Sequence, residues 1–132
     1  MGDLDILVVE DNDDHAELLL DSLAEFSPQS KVSRLPCGES VLDLLGGMVD
    51  CSECPLPDFV LLDIKLPKCD GIEVLKRLRH HQCWQDVPVF MLTTSTLERD
   101  IKSCYRNGAN GCFGKPFTYD DFSKVVNTLK ER

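Results

Sequence analysis

Three short apolar runs punctuate the chain: Leu4 to Val9, Phe59 to Leu62 and Val87 to Leu92. Each contains β-branched residues, and none alternates with polar positions. Uninterrupted runs of this length predict strands buried on both faces, as in a parallel sheet with helices on each side. The stretches between them carry helical spacing. Ala16, Leu19, Leu20, Leu23 and Phe26 make one apolar stripe, and Ile72, Leu75 and Leu78 a second. Leu97, Ile101, Cys104 and Tyr105 make a third, and Phe122, Val125, Val126 and Leu129 a fourth. A strand over Lys31 to Leu35, a helix over Val41 to Met48 and a short strand over Gly111 to Gly114 complete five alternating strand–helix units.

Local punctuation agrees with this pattern. Ser95-Thr96-Leu97-Glu98 reads as a capping box and Thr118-Tyr119-Asp120-Asp121 as its acidic analogue. Gly108 stands where a left-handed residue closes the fourth helix. Lys130 and Arg132 lie where the last helix dipole favours cations. Residues 47–58, with two cysteines and two prolines, form a somewhat long loop. Alternating units imply a parallel sheet with right-handed crossovers. Five are too few to close an eight-stranded barrel, so the sheet is open and doubly wound. Such sheets bind ligands at the carboxyl ends of their strands.

Composition narrows the function classes. With 132 residues the chain fits one domain. Lys+Arg number 14 against 23 Asp+Glu, a net charge of −9, which opposes contact with a nucleic-acid backbone. No segment approaches the roughly 20 apolar residues of a membrane span. The acidic start runs directly into a strand and does not resemble an export signal, so a cytoplasmic location is expected. The seven cysteines, at 37, 51, 54, 69, 83, 104 and 112, are an odd number, so reduced thiols are expected. Cys51 and Cys54 have the spacing of a metal or redox pair, but no second pair matches it.

The expected strand ends bring candidate chemistry together. The first strand runs into Glu10-Asp11, the third ends at Asp63, the fourth at Thr93-Thr94-Ser95 and the fifth at Lys115-Pro116. Crowded carboxylates repel, and a hard divalent cation such as Mg²⁺ relieves the repulsion. One carboxylate then remains as a nucleophile that can form an aspartyl phosphate. Lys115 supplies a point charge and Thr93 a hydrogen bond to the phosphoryl oxygens. Singly, each residue has a plainer role: Asp11, Asp13 or Asp14 as a helix cap, Asp63 before a turn, Lys115-Pro116 as a loop. Their joint order favours the functional reading.

Val8-Val9-Glu10-Asp11-Asn12, Leu61-Leu62-Asp63-Ile64-Lys65-Leu66-Pro67, Asp70-Gly71, Leu92-Thr93-Thr94-Ser95, Gly108-Ala109-Asn110-Gly111 and Lys115-Pro116-Phe117 together resemble the receiver domain of two-component response regulators. The resemblance spans about residues 4 to 131. It is greatest to single-domain regulators that serve phytochrome-type histidine kinases in cyanobacteria. It implies a flavodoxin-like sheet of strand order 2-1-3-4-5, with residues 1–132 as one receiver and no output domain. Asp63 would accept the phosphoryl group from a sensor histidine kinase. Glu10, Asp11, Asp63 and the backbone carbonyl of Lys65 would hold Mg²⁺. Thr93 and Lys115 would contact the phosphoryl group, and Lys65 and Ser95 would tune its lifetime. Lys115-Pro116 would be a cis bond. Output would pass to a downstream protein or phosphotransfer partner, with the last two helices as the candidate face for that contact or for a homodimer. His15 would lie at the surface near the kinase dock, and Trp84 would cover core.

One position departs from the family pattern. Receivers usually carry an aromatic switch residue three positions before the lysine; here that position is Cys112, and the aromatic is its neighbour Phe113. Strand neighbours point to opposite faces, so Phe113 does not substitute in place.

Two other classes compete. An aspartate-nucleophile phosphatase of the haloacid dehalogenase type would carry a second Asp two residues after the nucleophile, where this chain has Lys65. A flavodoxin-like cofactor carrier would need a phosphate-binding loop after the first strand, where Glu10-Asp11-Asn12-Asp13-Asp14 would repel phosphate. The expectation is a signalling switch, not an enzyme acting on external substrates.

Overall fold

The computed structural model describes residues 3–47, 56–66, 70–94 and 98–131. Ten elements alternate in chain order: β1 (Asp5–Val9), α1 (Asp13–Phe26), β2 (Lys31–Leu35), α2 (Gly38–Gly46), β3 (Phe59–Asp63), α3 (Gly71–His80), β4 (Val89–Thr93), α4 (Glu98–Arg106), β5 (Gly111–Gly114) and α5 (Tyr119–Lys130). All strand pairs are parallel, and the order is β2-β1-β3-β4-β5. The flavodoxin-like arrangement expected from the sequence is the one observed.

The uninterrupted apolar runs are explained by position. Every residue of β3 and β4 is buried, whereas the edge strand β2 alternates between exposed and half-buried positions. The strand period of two sends alternate side chains into two cores. Leu7, Val9, Val60, Leu62, Val89 and Met91 face α2, α3 and the Cys104 side of α4. Ile6, Val8, Phe59, Leu61, Phe90 and Leu92 face α1 and α5. Trp84 is buried in the first core, as expected.

The β3 strand ends at Asp63 as expected, one residue past its apolar run. Other boundaries differ from the sequence reading. The β4 strand begins at Val89, after Pro88, which has no N–H to give the ladder. The α2 helix starts at Gly38, before its first apolar position. Asn12, not one of the neighbouring aspartates, caps α1: its Oδ1 accepts from the His15 N–H at 3.0 Å. Asp11 is thereby left without a capping duty. The Thr118–Asp121 capping box forms as expected, and Gly108 adopts φ of 101°. Ser95, Thr96 and Leu97 lie outside the described residues, as do Cys51, Cys54 and Cys69. Cys83 is disulfide-bonded, against the expectation of reduced thiols. Cys37, Cys104 and Cys112 are free.

Arg79 pins the loops on the side remote from the strand carboxyl ends. Its guanidinium donates to the carbonyls of Gly108 at 2.9 Å and Val87 at 2.7 Å, and to Asn110 Oδ1 at 2.8 Å. Asn110 Oδ1 also accepts from the Val89 N–H at 2.9 Å, so one side chain ties the starts of β4 and β5. Charge-assisted bonds are the strong kind, although the Gly108 and Asn110 acceptors are exposed and the Val87 carbonyl is the sheltered one. Arg79→Ala is expected to lower unfolding stability by about 2–3 kcal/mol, since three acceptors lose a charged donor. Urea unfolding measures it; an unchanged midpoint would show that water replaces the guanidinium without loss.

Candidate phosphoryl-acceptor site

The carboxyl ends of β1, β3, β4 and β5 meet at one sheet edge, and their polar side chains gather there. Glu10 directly follows β1 and is 2% exposed; Asp63 ends β3 and is 7% exposed. Asp11, one residue further on, is exposed. Carboxylate oxygens of Glu10, Asp11 and Asp63 all lie within 4.8 Å of one another. Lys115 follows β5 through a backbone bond from its N–H to the Thr93 carbonyl at 3.0 Å. The Lys115 ammonium donates to Asp63 Oδ2 at 3.0 Å and to Glu10 Oε1. Asp63 Oδ1 accepts from the Lys65 N–H at 3.1 Å. Thr93, 3% exposed, ends β4 at the same edge. The Lys115–Pro116 bond is cis.

The electrostatics follow from this crowding. Burial first, and then the Asp63 carboxyl beside it, raise the Glu10 carboxyl above its ordinary range, against the opposing pull of Lys115. Burial alone would lower Lys115; its bonds to Glu10 and Asp63 outweigh that and hold it above its ordinary value. Three carboxylates with one ammonium keep an excess of negative charge. The donors are all carboxylate oxygens, the set a hard divalent cation prefers. The residues therefore fit such an ion.

Three residues have duties at this site that the sequence reading did not give them. His15, on the first turn of α1, places Nδ1 3.3 Å from the Lys115 ammonium and 3.7 Å from Glu10 Oε1. Arg34, on β2 opposite Val8, donates twice to the Glu10 carbonyl, at 3.1 and 2.9 Å, and to Asp13 Oδ1 at 3.0 Å. The backbone of Gly71 lies against the end of β3, its N–H bonded to the Ile64 carbonyl at 2.7 Å. The first two partnerships join residues far apart in the chain, so no local spacing announces them. Gly71 stood among the motif residues, but its duty appears only with the neighbouring strand in place.

The Cys112 position behaves as strand geometry requires. Cys112 packs against the α2–α4 core, whereas Phe113 joins the other. Phe113 stacks on Phe90 with ring centroids 6.0 Å apart and meets Phe117 edge-on at 5.7 Å. It is held there, and the face that would carry a switch aromatic carries a thiol. Beside the carboxylates, an open depression of about 320 Å³ lies between Leu18 and Leu19 of α1 and Lys115, Pro116 and Phe117.

Comparison with known proteins agrees with this geometry. Residues 6–127 match the family model described as response regulator receiver domain. The probable methanogenesis regulatory protein FilR2 of Methanothrix harundinacea is 36% identical over 126 residues, covering 96% of this chain and 81% of that protein. The response regulator Rcp1 of Synechocystis is 30% identical over 125 residues, 95% of this chain and 85% of Rcp1. A solved Mn²⁺-bound form of Rcp1 superposes with a TM-score of 0.73 at 29% identity, covering 97% and 92% of the two chains. The bacteriophytochrome response regulator AtBRR superposes with a TM-score of 0.81 at 34% identity, covering 98% and 94%. The chain belongs to the response regulator receiver domain family, a family of signalling switches, and phytochrome response regulators are among its relatives.

Proposed function

We propose that this chain accepts one phosphoryl group on Asp63 from the phosphohistidine of a sensor kinase, with Mg²⁺ bound at Glu10, Asp11, Asp63 and the Lys65 carbonyl. One observation carries the reading. The Asp63 carboxylate sits at a strand end within reach of both a clustered acidic pair and the Lys115 ammonium. In the transfer, an Asp63 oxygen forms a bond to phosphorus as the phosphorus–nitrogen bond breaks. The departing imidazole keeps the electron pair of that bond. A divalent cation held by these carboxylates would offset their charge and that of the incoming phosphoryl group. Lys115 turns its ammonium from Asp63 to the phosphoryl oxygens, and Thr93 donates its hydroxyl to them. Lys65 and Ser95 tune the lifetime of the acyl phosphate.

The phytochrome-type kinase is the proposed donor, supported by the likeness to AtBRR. The depression beside Lys115, with the exposed side chain of Leu18, is apolar enough to seat a helix of that kinase. Output passes to a downstream protein or phosphotransfer partner, or through a homodimer. Acetyl phosphate with Mg²⁺ is expected to add a single phosphoryl group, read by intact mass. No labelling with Mg²⁺ present would sink the reading. Sedimentation with and without beryllofluoride and Mg²⁺ checks the homodimer.

Proton and metal compete for Glu10, and the raised carboxyl sets where. Mg²⁺ binding only the folded chain stabilises it by about 2–3 kcal/mol at a hundredfold excess over Kd. This increment is expected to shrink as pH falls towards the raised Glu10 value, before the ordinary 4.5 is reached. Without metal the sign reverses. In that window the folded state holds more protons than the unfolded one, so Glu10 contributes stability as pH falls. Melting temperature against pH, with and without Mg²⁺, tests both slopes; a metal increment that stays constant through the acid range would remove Glu10 from the site.

A further inference from the structure

The chain leaves β1 towards the carboxylate cluster through Glu10 and Asp11, and β2 holds Glu10 by both of its backbone groups. The Glu10 N–H donates to the Leu35 carbonyl at 3.2 Å. The Glu10 carbonyl accepts from Arg34 Nε at 3.1 Å and from Arg34 Nη2 at 2.9 Å. Arg34 stands opposite Val8 in the ladder, and its side chain is 24% exposed. The same Nη2 donates to Asp13 Oδ1 at 3.0 Å, so one guanidinium joins the end of β1 to the first turn of α1. On the other side of Asp11, the Asn12 N–H donates to Glu10 Oε2 at 3.4 Å, and the Asn12 side chain caps α1. Asp11 is thus the exposed middle residue of a turn tied before and after it. One of its carboxylate oxygens lies within 4.8 Å of those of Glu10 and Asp63.

We propose that Arg34 is a positioning residue of the metal site: its donor fork fixes the plane of the Glu10–Asp11 peptide and so sets where the Asp11 carboxylate meets a divalent cation. This role rests on the proposed Mg²⁺ site. Two donors of one rigid, planar group on a single carbonyl oxygen restrain its direction as well as its distance. Mg²⁺ demands near-ideal octahedral geometry, so a turn free to swing costs affinity even with every carboxylate present. Groups that orient metal ligands typically account for about 10–100-fold in affinity. The charge of Arg34 acts with the opposite sign. A guanidinium near a cation site repels the incoming ion, so its removal would tighten binding if charge were its whole contribution. Positioning and charge are therefore separated by the direction of the change.

Isothermal titration calorimetry of Mg²⁺ into the full chain tests it, with urea unfolding of the same samples. Arg34→Met keeps an unbranched stem and removes both the fork and the charge. Its Mg²⁺ dissociation constant is expected to rise roughly tenfold. Arg34→Lys keeps the charge and offers one flexible ammonium, so it is expected to recover part of that loss. A folded Arg34→Met chain that binds Mg²⁺ as tightly as the parent, or more tightly, overturns the proposal. Lower urea stability with the affinity kept assigns Arg34 to folding alone and overturns it as well. Should Arg34→Met fail to fold, Arg34→Lys decides: weaker binding than the parent supports the role, and equal or tighter binding ends it. A parent chain that takes up no Mg²⁺ removes the metal site, and this role with it; a parent that binds Mg²⁺ beside variants that bind it equally well removes the role and leaves the site.

Discussion

Asp63→Asn is expected to abolish phosphoryl labelling by acetyl phosphate while the chain stays folded. An amide nitrogen and carbonyl cannot take the place of a carboxylate oxygen that forms an acyl phosphate. The change is nearly isosteric, so the packing at the end of β3 is retained. Charge argues in the same direction for folding. Three carboxylates share the site with one ammonium, and removing one lessens the repulsion. Lys115 keeps its bond to Glu10, and Glu10 loses one of the two influences that raise it. The metal-free variant should therefore be at least as stable as the parent, whereas the stabilisation by Mg²⁺ should weaken. Intact mass and thermal unfolding, run together, separate loss of the acceptor from loss of the fold. Persistent labelling at another residue would move the acceptor elsewhere.

Gly71→Ala should have the largest effect on stability of any single methyl group at the site. A Cβ there would stand 2.2 Å from the Asp63 carbonyl oxygen, 2.7 Å from that of Ile64 and 2.8 Å from the Ile64 Cα. All three are backbone atoms, which no rotamer change can move. The start of α3 would have to back away from the end of β3, giving up the Gly71 N–H bond to Ile64. Overpacking of this kind costs about 3 kcal/mol, and more where backbone must shift. The strand end that moves is the one that carries Asp63, so labelling should slow as well. Gly46→Ala is the control, because a Cβ at the end of α2 meets nothing within 4 Å. Its change should lie near zero or be slightly stabilising. Equal urea midpoints for the two variants would show that the close approach at Gly71 is not a real constraint.

The parts legible in the chain and the parts hidden from it divide along a physical line. Strand interiors announced themselves because central parallel strands are dry on both faces, and only uninterrupted apolar runs satisfy that. Their starts were less legible: β4 begins at Val89 and not at Val87, because Pro88 has no N–H to give the ladder. The α1 cap fell to Asn12 although three aspartates stood nearby, a choice made by where the strand releases the chain. His15, Arg34 and Gly71 carried no local signal for their duties at the site, since each acts on atoms contributed by another element.

The order of carboxylates, hydroxyl and lysine along the chain determined by itself that these groups gather at one place, because strand ends of a parallel sheet must share an edge. Whether those groups touch, which of them carries a proton, and which cysteine faces which core were decided only by the tertiary structure. Distances of a few ångströms between residues a hundred positions apart, and the burial that raises Glu10, are properties of packing and have no counterpart in local sequence.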